Sequence, residues 1–174
     1  PRAVAVAGSM AMSSTAVVLR LPMQLGSGTW DLKPGITYLG QSDAFSWGGQ
    51  VLGTIRLGDN SANYTLGNDL TVNAWAAYQL SDSLSASLRA TGMIWEDVDG
   101  ADSRLNPMAV PTARPDLRGG QRIDLFGGIN YQFQTGLFEG HRIAAEVGKT
   151  VWRDLDGPQL GMDWMATVGW QKAF

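Results

Sequence analysis

Eight charged residues share one side of an alternating pattern: Asp31, Lys33, Arg56, Arg89, Arg122, Asp124, Arg142 and Glu146. Brought to one face, such a set has two uses. It lines a polar pathway, or it pairs off into a network that fills the space between strands. Other candidate chemistry is thinner. Trp95–Arg104 and Arg153–Leu160 each contain Asp-x-Asp-Gly, a spacing with which carboxylates wrap Ca²⁺. Neither carries the remaining ligands of an EF-hand loop, and turn formation is the simpler use. Met10, Met12 and Met23 offer thioethers of the kind that bind Cu(I), with ordinary packing the simpler reading. His141 is the only histidine and there is no cysteine, so a zinc site or a histidine-based triad lacks partners. His141 reads as a surface residue in a short turn. The glycosylation-type triplet Asn63–Tyr64–Thr65 reads as a chance match. No catalytic residue, metal site or cofactor is expected, and the chain is not read as an enzyme.

The elements that must position the charged set are strands. The last of them ends the chain as Asp163–Phe174, with Trp164, Ala166, Val168 and Trp170 on one parity, Lys172 the exception there, and small or polar residues mostly on the other. Period 2 of this kind recurs in seven segments: Ser27–Gly40, Phe45–Gly58, Asp69–Leu80, Leu84–Trp95, Arg122–Gln134, His141–Trp152 and Asp163–Phe174. Each is longer than the usual strand of about 5 or 6 residues. A tilted membrane strand needs about 9 to 11. Composition agrees with an unusual strand protein: 22 glycines, 7 tryptophans and only 17% charged residues in 174. A net charge of −3 with no basic run gives no case for nucleic acid. No apolar run reaches the roughly 18 residues of a membrane helix.

Connectors separate a membrane barrel from a soluble sandwich, which also alternates. Gln41–Ala44, Ser81–Ser83 and Thr135–Gly140 are short; Asp59–Asn68, Glu96–Gln121 and Arg153–Met162 are long. Strict alternation of short and long is the pattern of outer-membrane barrels, with tight periplasmic turns and longer external loops. Aromatics gather at the short-turn end on the apolar parity: Tyr38, Trp47, Tyr78, Tyr131, Phe133, Trp170 and Phe174, half of an interfacial girdle. Trp30 and Trp164 suit the other half. The expectation is therefore one domain over residues 1–174, an all-β antiparallel up-and-down transmembrane barrel. Either about eight strands close in this chain, the eighth near Arg2–Gly8, or the chain is the C-terminal portion of a larger barrel. One residue resists. Lys149 falls on the lipid parity, and the conflict is resolved by a snorkelling side chain or a bulge that shifts the register. Pro107, Pro111 and Pro115 are expected to stiffen the longest loop.

Four stretches carry a resemblance: "LPMQLGSGTWDLKPGITY", "GTIRLGDN", "DGADSRLNPMAVPTARPDLRGGQRIDL" and "DLDGPQLGMDWMATVGWQKAF". Over roughly residues 9 to 174 the chain resembles the C-terminal part of a family of bacterial outer-membrane barrels carrying a transporter label of the phenol-degradation meta-pathway type. The resemblance implies an outer-membrane barrel and passive transport of small molecules, and it transfers no catalytic residue. The partners implied are outer-membrane lipid and lipopolysaccharide, a protein reached through the external loops, and the assembly machinery that reads the terminal strand. Lys172 stands where that strand usually has an aromatic. The alternative is a non-conducting barrel that anchors its loops for binding a partner or lipopolysaccharide.

Overall fold

The structure, a computed structural model, describes residues 27–101 and 114–172. They fold into ten β-strands: β1 Trp30–Leu32, β2 Gly35–Gln41, β3 Phe45–Leu57, β4 Tyr64–Thr65, β5 Asp69–Gln79, β6 Leu84–Trp95, β7 Asp99–Gly100, β8 Gly120–Gln132, β9 His141–Leu155 and β10 Trp164–Lys172. Among the described residues there is no α-helix, only a 3-10 turn at Pro115–Leu117. Eight strands form one antiparallel sheet in which chain neighbours pair in sequence, while β4 and β7 pair as a separate ribbon. The all-β, up-and-down antiparallel expectation holds. The sheet does not close on itself among the described residues, and the strand expected near Arg2–Gly8 lies outside them.

Two expectations need correction. The segment Ser27–Gly40 is not one strand but two, because Pro34 has no N–H to give to the ladder. β1 and β2 nevertheless meet β3 in one register, Trp30 against Leu57 and Gly35 against Leu52. The Pro34 carbonyl accepts from Gly53 N at 2.9 Å, so the break costs one donor and not the alignment. The bulge proposed near Lys149 exists, but beyond it: the register shifts opposite Ile123/Asp124, leaving Val151 as the extra residue. Lys149 therefore stays on the apolar face, its Nζ 5.3 Å from the centre of the Trp164 ring.

The interstrand register sets one face out in rows. Thr37, Gln50, Asn73, Thr91, Asp124 and Thr150 lie in line across six strands. Next to them runs Leu39, Gly48, Trp75, Arg89, Phe126, Gly148 and Met165, in which large side chains face glycines. The Trp75 ring covers Gly48 and the Phe126 ring covers Gly148, each occupying the place a Cβ would take. A ring laid over a cross-strand glycine recovers the packing that the glycine lacks. Gly148→Val is expected to lower stability by about 1–3 kcal/mol, since Phe126 must leave its site. The measurement is the urea midpoint of the refolded chain, and an unchanged midpoint would sink this account of the packing.

The candidate functional site on the charged face

The charged side chains assemble on one face of the sheet, and they assemble in pairs. Arg56 on β3 reaches Asp31 on β1 at 3.2 Å and Asp69 on β5 at 3.5 Å. Its Nε donates to the Gly67 carbonyl at 2.9 Å, which ties the strand to the following loop. Arg89 on β6 passes over β8 to an ion pair with Glu146 on β9. Gly128 lies between Ser87 and Glu146 in the register, and the Ser87 hydroxyl takes the space that its missing side chain leaves. The Arg89 guanidinium sits 3.8 Å over the centre of Phe126, adding a cation–π contact. Arg122 meets Asp124 at 3.1 Å. Asp124, with only 2% of its surface exposed, also accepts from Thr150 Oγ1 at 2.6 Å.

Neutral polar groups complete the lattice. Gln50 Nε2 donates to Thr37 Oγ1 at 3.0 Å, Thr91 Oγ1 to Asn73 Oδ1 at 2.7 Å, and Arg89 to Thr91 Oγ1 at 3.0 Å. Six of the eight expected charged residues thus occur as three partnered sets. The other two stand apart: Arg142 donates to Asn130 at 2.6 Å near the short turns, and Lys33 is exposed at the break before Pro34. Asp69, Thr150, Phe126 and Trp75 also belong to the set. The alternating parity already marked their side of the sheet, but partners come only from register.

Both ends of this face are recessed. At the short-turn end a polar cavity of about 290 Å³ takes lining from six strands, including Gln41, Ser46, Ala77, Ser85, Asn130 and Arg142. At mid-height the rings of Trp75 and Phe126 and the Arg89–Glu146 pair lie on this face.

The opposite face is apolar and exposed: Ile36, Val51, Val72, Leu88, Leu125, Ile129, Val147 and Val168 all stand on it in the open. Aromatics bound it. Tyr38, Trp47, Tyr78, Tyr131 and Trp170 sit exposed at the short-turn end, with Trp30, Trp152 and Trp164 exposed at the other. Phe133 is just beyond β8, edge-on to Tyr131 at 5.0 Å, and Phe174 lies outside the described residues. His141, expected to be a plain surface residue in a turn, is the first residue of β9 and a member of the short-turn belt. Its ring stacks on Trp170 at 5.2 Å, and its Nδ1 accepts from Trp170 Nε1 at 2.9 Å.

The long connections are knitted together. β4 and β7 pair between two of them, burying Tyr64 to 2% exposure. Asp97 Oδ1 accepts from the amides of Arg118 at 2.6 Å and Gly119 at 2.5 Å, and Gln159 Nε2 donates to the Gly119 carbonyl at 2.7 Å. The first Asp-x-Asp-Gly motif therefore serves a loop clamp, and no group of three acidic, histidine or cysteine side chains among the described residues is placed to hold a metal ion. Pro115 opens the 3-10 turn, beside which Arg114 bonds to Asp116 and holds that carboxyl below its ordinary value. Burial pulls the Arg118 guanidinium down. Met10, Met12, Met23, Pro107 and Pro111 lie outside the described residues.

Compared with protein-family models, with curated proteins and with solved structures, the chain finds no match.

Proposed function

We propose that this chain forms a β-barrel of the bacterial outer membrane, alone or as part of a larger barrel, and acts as a passive conduit for small molecules. The carrying observation is an inside-out sheet. Its exposed face is the apolar one, its charged face is the covered one, and β3, β5, β6, β8, β9 and β10 run 9 to 15 residues. In water an apolar face of that breadth would be costly at about 25 cal/mol per Å². In hydrocarbon it is the surface required, with aromatic belts where the headgroups begin.

Stagger supports closure. Following the hydrogen-bond direction, Tyr38 leads through Gly49, Ala74, Ala90 and Leu125 to Lys149 and Trp164. That row leaves β2 near the short-turn end and meets β10 at its first residue, beside a long loop. Strands sheared in this way tilt against the belts, which is what closing a sheet into a barrel requires. Lipid and lipopolysaccharide are the surroundings this reading implies, and the resemblance to transporter-labelled barrels supports the conduit role.

The packing at mid-height favours a second reading, in which the barrel is plugged and anchors its loops for a partner. The two separate by conductance. In planar bilayers the wild type is expected to pass small currents, and Arg89→Ser combined with Glu146→Ser to raise them, because the pair narrows the path. Silence from both chains would sink the conduit and leave the anchor.

A further inference from the structure

A cleft of about 390 Å³ opens at the long-loop end of the charged face, within the range of small-molecule sites. We propose that it binds a small organic anion with an apolar body, such as a carboxylate or sulfonate on an aromatic frame. The loops and strand ends that build it stand whether or not the barrel conducts. Its apolar wall is Leu66, Met93, Trp95 and Val98. The Trp95 indole is fixed from two sides: Nε1 donates to the Arg118 carbonyl at 2.7 Å, and the ring edge lies against Gly120, 3.0 Å from where a Cβ would stand. An aromatic plane held this way receives a flat ligand without paying to be ordered.

The polar wall is cationic. Arg56, Arg118 and Arg122 line the cleft against the carboxylates of Asp69 and Glu96. Asp69 is engaged by Arg56, and Glu96 accepts from Asn68 Nδ2 at 2.9 Å. Arg56 spends its donors on Gly67, Asp31 and Asp69 and is part of the frame. Arg122 differs. Among the described residues its guanidinium has one ionic partner, Asp124, whose Oδ2 lies 3.1 Å from Nε without completing a hydrogen bond. Its two terminal amino groups keep the forked geometry that takes a carboxylate through two parallel bonds. The same guanidinium lies 6.0 Å from the Trp95 ring and also lines an adjoining hollow of about 160 Å³, so head and body sites adjoin.

The test is calorimetric titration of the full chain in nanodiscs, with benzoate, benzyl alcohol and benzylamine as probes and empty discs subtracted. Benzoate is expected to saturate one site, and benzyl alcohol to bind at least about tenfold more weakly, ~1.4 kcal/mol. Benzylamine should not bind. Val98→Glu sets a carboxylate in the loop wall and leaves the sheet untouched, so it should weaken benzoate by about tenfold or more. Arg122→Lys keeps a countercharge for Asp124 but loses the fork, and should also weaken it. Equal affinity for benzoate and benzyl alcohol would overturn the proposal, as would no saturation or indifference to Val98→Glu. Heat-dependent gel mobility of the same sample reads the barrel separately. Benzoate binding without a mobility shift keeps the cleft and sinks closure of a barrel by this chain alone; a shift without binding does the reverse.

Discussion

Leu88→Arg is expected to destabilise the chain by about 2–4 kcal/mol when it is folded into phospholipid vesicles. Leu88 lies near the middle of β6, on the apolar face, between Ala76 on β5 and Gly127 on β8. It is 71% exposed and packs against little, so the effect cannot arise from lost contacts. In a water-soluble sheet the same substitution would fall within the roughly ±0.5 kcal/mol of ordinary surface changes. In a bilayer it carries a guanidinium into hydrocarbon, and even with snorkelling toward the belt at Tyr78, on the neighbouring strand, the charge is held at a cost. Leu137→Arg is the control. Leu137 is 92% exposed in a short connection outside the strands, and there the substitution should be nearly neutral. Urea unfolding of both variants from vesicles measures the difference. Equal, small effects would remove the membrane from the account of this protein.

That prediction could have been written from the sequence, because faces are set by period 2 and Leu88 declares its own. The same holds for the strands themselves, β6 matching its expected bounds and β3 and β5 falling one residue short. Partners were not legible. Glu146 and Arg89 sit on the same parity as Arg142 and Arg122, and alternation alone gives no way to choose among those pairs. The choice depends on how far each strand slides past its neighbour, which is a tertiary quantity. The extra residue Val151 breaks the period in a stretch of mixed apolar residues where either parity reads equally well. β4 and β7 are too short to leave a periodic trace, and they exist because two loops meet. In the sequence His141 stands beside a glycine and looks like turn surface, yet its surroundings come from Phe138 before it and Trp170 on another strand. Pro34 was in plain view, and its missing donor was enough to split Ser27–Gly40.

Asp124→Ala should be the most damaging single change on the charged face, at about 3 kcal/mol. The carboxylate is almost wholly covered, and two groups depend on it: the Arg122 guanidinium and the Thr150 hydroxyl. Removing it leaves a half-covered cation facing a void, and an unanswered charge of this kind costs more than the pair was worth. The lower end of the range applies because the Arg122 side chain keeps 28% exposure, through which water can answer part of the charge. The penalty therefore belongs largely to the abandoned arginine, and this is testable. Arg122→Met combined with Asp124→Ala removes both charges and should recover most of the loss. Thr150→Val alone forfeits one hydrogen bond and leaves an acceptor still paired, so about 1 kcal/mol is expected. Urea midpoints of the three variants complete the cycle. If the double variant is no better than Asp124→Ala, the carboxylate holds the bulged stretch of β9 through Thr150, and the ion pair to Arg122 is incidental to stability.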